Sequence, residues 1–255
     1  MAVSPPGTVF QRSAFRALVG ILLAGVLLAA CSSSPGSSGS SSPPGSSSSG
    51  DKALATSELL PTSVYPAGWK GQGASSETTG ASFFGGANSS EVSELASCIG
   101  ISTNGIDTSP AEAAAQEYDD PSSNVTVTDT VDVFPTDAQA VADVEAAANP
   151  KTPSCFVQLL GPNLSQAIAQ KLGQGATIGQ VAASHGSLPS FGDHDAELVL
   201  SFPFTFEGVS GTEYLEFVTV QKDRSESNLQ LSNSGSPAPS NVVEDLARAA
   251  AKQMS

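Results

Sequence analysis

Alternation of apolar and polar residues is clearest from Asn124 to Phe134, where Val125, Val127, Val131 and Val133 share one parity and Thr126, Thr128, Thr130 and Asp132 the other. A period of two over this length predicts a β-strand with one face turned to a core. The pattern returns from Glu197, with Leu198, Leu200, Phe202, Phe204 and Phe206 on one side and Ser201, Thr205 and Glu207 among those opposite. Pro203 has no N–H to give to a ladder, so an edge position or a bulge is expected there. Gly208 to Gly211 is expected to turn the chain, Tyr214 to Gln221 to form the partner strand, and Asn228 to Ser232 a shorter one. Ala81 to Phe84 and Ala176 to Ser184 are further strand candidates.

Helical spacing occupies the intervals. Val92, Leu95, Ala96 and Ile99 make one apolar face within a helix from Asn88 to Ile99, stopped by Gly100. Thr136 and Gln139 match a capping box, after which Val141, Val144 and Ala148 continue a stripe until Asn149-Pro150. Residues 153–172 read as one bent helix or two short ones, because Gly161-Pro162 interrupts them. Pro110 to Tyr118 is helical or irregular. A last helix runs from Asn241 to Met254, with Asn241 and Glu244 as N-cap and N3, and with Val242, Val243, Leu246, Ala247 and Ala250 buried. Ahead of these elements, Leu54 to Lys70 is turn-rich, and Trp69 is expected to pin it to the core. The element order predicts an α+β domain: an antiparallel sheet with helices packed on one side.

The N-terminal part follows a different rule. Arg12 and Arg16 precede an entirely apolar or small run from Ala17 to Ala30, and that run ends at Cys31. As a helix, these fourteen residues rise about 21 Å, short of the roughly 30 Å hydrocarbon core, so a signal peptide is favoured over a permanent span. Leu28-Ala29-Ala30-Cys31 resembles a bacterial lipobox, which implies cleavage between Ala30 and Cys31 and a diacylglycerol and palmitate anchor on the Cys31 thiol. An ordinary secretory signal ending by coincidence at a cysteine is the competing reading. Residues 32–50 are only Ser, Gly and Pro, a composition that cannot bury a core and so forms a tether of about 25 Å. The divisions expected are a signal peptide at 1–30, the lipidated cysteine and tether at 31–53, and a single domain at 54–255.

Charge and cysteine usage agree with that address. Residues 51–255 hold all 25 acidic residues and eight of the ten basic ones, a net charge of −17. Scattered cations in so acidic a chain exclude nucleic acid as an expected partner, and they leave the lipid anchor as the means of membrane attachment. With Cys31 lipidated, Cys98 and Cys155 remain as an even pair. A disulfide between them is the default for an exported protein, and it would staple the helix ending at Ile99 to the one starting near residue 153.

Candidate chemistry is sparse. The loop from His185 to Asp195 holds both histidines with Asp193 and Asp195, yet adjacent residues rarely converge on one ion without distant ligands, so no metal and no cofactor are expected. No G-x-S-x-G, P-loop or H-E-x-x-H motif occurs, and an enzyme is not expected. The lipobox and tether, Leu59-Leu60-Pro61 with Tyr65-Pro66-Ala67-Gly68-Trp69, Cys98-Ile99-Gly100, Cys155 within a helix, and Phe191-Gly192-Asp193 before a long hairpin together resemble actinobacterial lipoproteins. More narrowly, residues 54–255 resemble the extracellular sensor domain of PknH-type receptor kinases and the related mycobacterial PsbP-like lipoproteins. That resemblance implies a noncatalytic domain at the extracytoplasmic face of the cell membrane, binding a hydrophobic or cell-wall-related ligand. Phe202, Phe204 and Phe206 are the candidate wall of an apolar pocket, against the plainer reading that they fill the core. A structural or protein-interaction lipoprotein without a small ligand is the alternative.

Cys31→Ser is expected to release the domain or leave an unprocessed precursor, seen as loss of palmitate labelling and of detergent-phase partitioning; unchanged processing and retention would refute the lipobox.

Overall fold

In the computed structural model, the described residues are 49–75, 89–102, 111–112, 115–120, 125–172 and 175–255. The expected signal peptide with its cleavage site at Ala30 and Cys31, the expected tether up to residue 48 and the Ala81 to Phe84 strand candidate lie outside them. The helices are α1 (Ser49–Glu58), α2 (Ser89–Ile99), α3 (Asp137–Ala148), α4 (Thr152–Leu172) and α5 (Ser240–Gln253). The strands are β1 (Lys70–Ser75), β2 (Ala111–Glu112), β3 (Ala115–Asp120), β4 (Val125–Val133), β5 (Thr177–Ile178), β6 (Ala182–His185), β7 (His194–Phe206), β8 (Val209–Lys222) and β9 (Ser225–Ser234). They form one sheet in the order β1-β3-β4-β9-β8-β7-β5, with β2 also on β4 and β6 also on β7. Each pairing in it is antiparallel.

The α+β class and the antiparallel sheet are as expected, and several limits move. The β7–β8 turn is only Glu207-Gly208, both at positive φ, so Val209 to Gly211 belong to β8 rather than to a loop. The segment Pro110 to Tyr118 contains β2 and most of β3 instead of a helix. Ala176 to Ser184 divides into β5 and β6, and the division explains Pro203. Its carbonyl accepts from Gly179 N–H at 2.7 Å on the outer side of β7, between the residues paired to β5 and those paired to β6. The missing N–H therefore falls at a gap in the ladder, with no bulge needed. Helix α5 starts one residue early, with Pro239 rather than Asn241 in the N-cap position and no side-chain cap bond, and α1 begins five residues ahead of the expected boundary at Leu54.

Parity assigns the two faces. On the first, Val125, Val127, Val218, Val220, Leu229 and Leu231 pack with Leu60, Tyr65 and the α5 residues Val243, Leu246, Ala247 and Ala250. Farther along the same face, Val131 and Val133 receive Ala55 and Leu59 of α1. On the second face, Leu198, Leu200, Phe202 and Leu215 pack with Leu95 and Ile99 of α2, Val144 and Ala147 of α3, and Phe156 of α4. Helices thus cover both faces rather than one, because β8 is apolar at both parities: Leu215 and Phe217 point one way, Val218 and Val220 the other.

Cys98 and Cys155 form a disulfide, Cα to Cα 5.9 Å, joining α2 to α4 over the second face. α4 is continuous through Pro162. Among the described residues no helix is long and apolar enough to cross a membrane.

Replacing both cysteines by Ser opens a loop of 57 residues and is expected to cost about 2–4 kcal/mol of stability. A lower denaturant midpoint, with a slope that steepens as the freed unfolded chain expands, would show it.

Candidate functional site

The face bearing Phe202, Phe204 and Phe206 is the pocket candidate expected from the sequence. Phe202 is 1% exposed and lies inside the helix-covered core of the second face. Phe204 is 8% exposed, and its ring lies over Gly211, where a Cβ would come within 2.7 Å of it. Phe206 is half-buried beside the hairpin turn. Two of the three rings are therefore buried, Phe202 in the core beneath the helices and Phe204 against Gly211 of β8.

The His185–Asp195 stretch is used for structure. His185 Nε2 lies 3.0 Å from the Asn149 carbonyl, while His194 begins β7 opposite Gln221, so register holds the two rings apart. Asp195 accepts from the N–H groups of Phe191, at 2.8 Å, and Gly192. Asp193 accepts from Asp223 N–H at 3.2 Å in the β8–β9 turn. A Cβ at Gly192 would meet the Gln221 carbonyl at 2.4 Å, so the Phe-Gly-Asp turn requires its glycine for close backbone approach. Arg248 of α5 sits over the Phe191 ring, 5.1 Å from its centre. Among the described residues no group of three or more His, Cys, Asp or Glu side chains is arranged to hold a metal ion.

The distinctive chemistry lies in buried acids. Asp129 interrupts the valine parity of β4 and has no exposed surface; it accepts from Leu60 N–H at 2.7 Å, with the Ser227 hydroxyl at 3.5 Å. It thereby ties the segment after α1 to the sheet, beside Tyr65 stacked on Tyr118 at 3.6 Å, with Trp69 half-buried next to Tyr65. Burial pushes the Asp129 carboxyl up to about 7, despite the two donors. Glu216, on the same face, accepts from Ala238 N–H at 2.5 Å just ahead of α5. Burial raises it to about 7 as well, with the Glu197 charge adding to the effect.

The second face carries its own set. Register places Gln221, Glu226 and Asp132 in one row across β8, β9 and β4, and Asp143 of α3 comes down onto Glu226. Asn228, in the next row, donates to Asp132 at 3.1 Å and to Glu226 at 2.9 Å. Asp143 occupies the buried stripe of α3 with Ala140, Val144 and Ala147. Of the expected stripe Val141, Val144 and Ala148, Val144 is buried, while Val141 is half-buried and Ala148 exposed, because an alanine-rich helix has few bulky residues to fix its rotation. Desolvation raises both Asp143 and Glu226, and for Glu226 the neighbouring Asp143 and Asp132 charges add to it.

No protein-family model and no curated protein matches this chain. Solved structures similar to it include two from Mycobacterium tuberculosis. One is the extracellular domain of PknH from Mycobacterium tuberculosis, at 12% identity over 79% of this chain and 95% of that one, with a TM-score of 0.39. The other is LpqN, involved in cell envelope biogenesis of Mycobacterium tuberculosis, at 13% identity over 76% and 79%, with a TM-score of 0.27.

The folded chain holds protons on Asp129 and Glu216 over a range where the unfolded chain has released them. Stability is therefore full below about pH 4 and is lost as pH rises through about 7, by up to about 1.4 kcal/mol per pH unit for each group. Asp129→Asn keeps an acceptor for Leu60 N–H and is expected to flatten this slope by one proton, measured by urea unfolding at pH 4 to 8.

Proposed function

We propose that this chain is a lipid-anchored envelope protein whose domain acts without catalysis, as a binding or sensor-like module on the extracytoplasmic face of the cell membrane. The observation that carries this reading is the division of the three cysteines. Cys98 and Cys155 are joined in a disulfide, a pairing suited to an oxidising compartment, which leaves Cys31 alone at the end of an apolar run and ahead of a Ser/Gly/Pro tether. Two acyl chains on that residue would give durable attachment where one is marginal.

A noncatalytic role draws support from how the polar groups are used. Asp193 and Asp195 cap turns, His185 meets a backbone carbonyl, and Asp129 and Glu216 bond backbone N–H groups deep in the fold. Catalysis needs such groups to face a substrate.

The ligand in this reading is hydrophobic or cell-wall-related and would be taken beneath α3 and α4, against Leu198, Leu200 and Phe202. A protein-interaction role with no small ligand is the second reading, favoured by the close filling of that core by Phe202 and Phe204. Native mass spectrometry of the full-length protein extracted from membranes separates them. A bound amphiphile beyond the anchor, with a rise of a few degrees in melting temperature on adding envelope lipids, is the result expected. An adduct-free protein with an unmoved melt, crosslinked reproducibly to a protein partner, would select the second reading.

A further inference from the structure

α3 lies across β7, β8 and β9 with Asp143 in the middle of its buried stripe, so an ionisable group stands where an apolar one would pack. Asp143 and Glu226 meet side chain to side chain. Both are fully buried, and neither Asp143 Oδ2 nor Glu226 Oε2 has a donor among the described residues. Two ionised carboxylates only accept, so this contact exists only when one of them carries a proton.

Among the described residues no cation acts on Asp143 or Glu226 to take the proton's place. Asp132, directly opposite Glu226 on β4, is another buried acid, and β2 places Glu112 opposite Asp132 in backbone register. The β8 neighbour is the neutral Gln221, whose amide donates to Asp137 in the first turn of α3 at 3.2 Å. Asn228 supplies the other donors from β9. Arg224, in the β8–β9 turn, is engaged by Asp51 of α1 and by the Phe134 carbonyl.

We propose that α3 is a proton-held cover: a single proton shared between Asp143 and Glu226 fixes the helix to the sheet, and losing it as the medium becomes less acidic frees α3 from the apolar face of β7 and β8. Like charges packed face to face in a buried site repel strongly, and the side chains that otherwise bury α3 are small: Ala140, Val144, Ala146 and Ala147. The surface uncovered would be that of Leu198, Leu200 and Phe202. The proposal stands whether or not a ligand binds there.

Hydrogen exchange of the full-length protein tests it. After correction for intrinsic rates, the opening constant of α3 amides is expected to rise with pH between 5 and 8, by up to about tenfold per pH unit. In Asp143→Asn the new amide donates to an ionised Glu226, so the contact no longer depends on a proton and α3 opening becomes independent of pH; Glu226→Gln does the same in reverse. Asp129→Asn, on the other face, leaves the α3 response intact. A flat wild-type profile, or the same slope in wild type and in either Asp143→Asn or Glu226→Gln, would overturn the proposal.

Discussion

The register of the β7–β8–β9 meander is the constraint from which the other contacts follow. Thirteen residue pairs join β7 to β8 and ten join β8 to β9, connected by two tight turns. A slip of one residue would exchange the two faces of the sheet. Leu215 and Phe217 would leave the α3–α4 side, Val218 and Val220 would leave α5, and Glu226 would no longer meet Asp143. Two turn contacts pin the register: Gly192, pressed against the Gln221 carbonyl, and Asp193, holding the Asp223 N–H.

Termini are secured to this frame by acids rather than by apolar burial alone. Asp129 holds the segment after α1 and Glu216 the segment before α5, each through a backbone N–H that would otherwise be buried without a partner. A neutral side chain could accept the same bond without titrating. Retaining carboxyls in these places makes the closure of both chain ends, and of α3, respond to protons, in a domain whose net charge already favours self-repulsion at higher pH.

Much of the architecture could be read from periodicity, because β4, β7 and the helices α2 and α5 carry bulky residues at strict spacing. The failures share a cause. Pro110 to Tyr118 and the rotation of α3 involve alanine, which fits strand, core and surface alike. The distribution of helices over two faces depended on β8, whose apolar residues fall on both parities. At the site level, Asp129 went unread inside the valine parity of β4, and Asp143 and Glu226 become partners only through tertiary contact, which no local spacing encodes. The three phenylalanines were correctly placed on one face, but spacing cannot distinguish a filled core from a pocket wall.

The bond between Asp51 and Arg224 also fixes a point of suspension. It draws the start of α1, where the tether ends, to the β8–β9 turn at one extremity of the longest strand. Fourteen residues of β8 place the opposite turn, Glu207-Gly208, about 45 Å away. Were the segment ahead of α1 attached to a surface, as proposed, the Arg224 corner would be the near end of the domain and the exposed Val209 at the opposite turn its far tip.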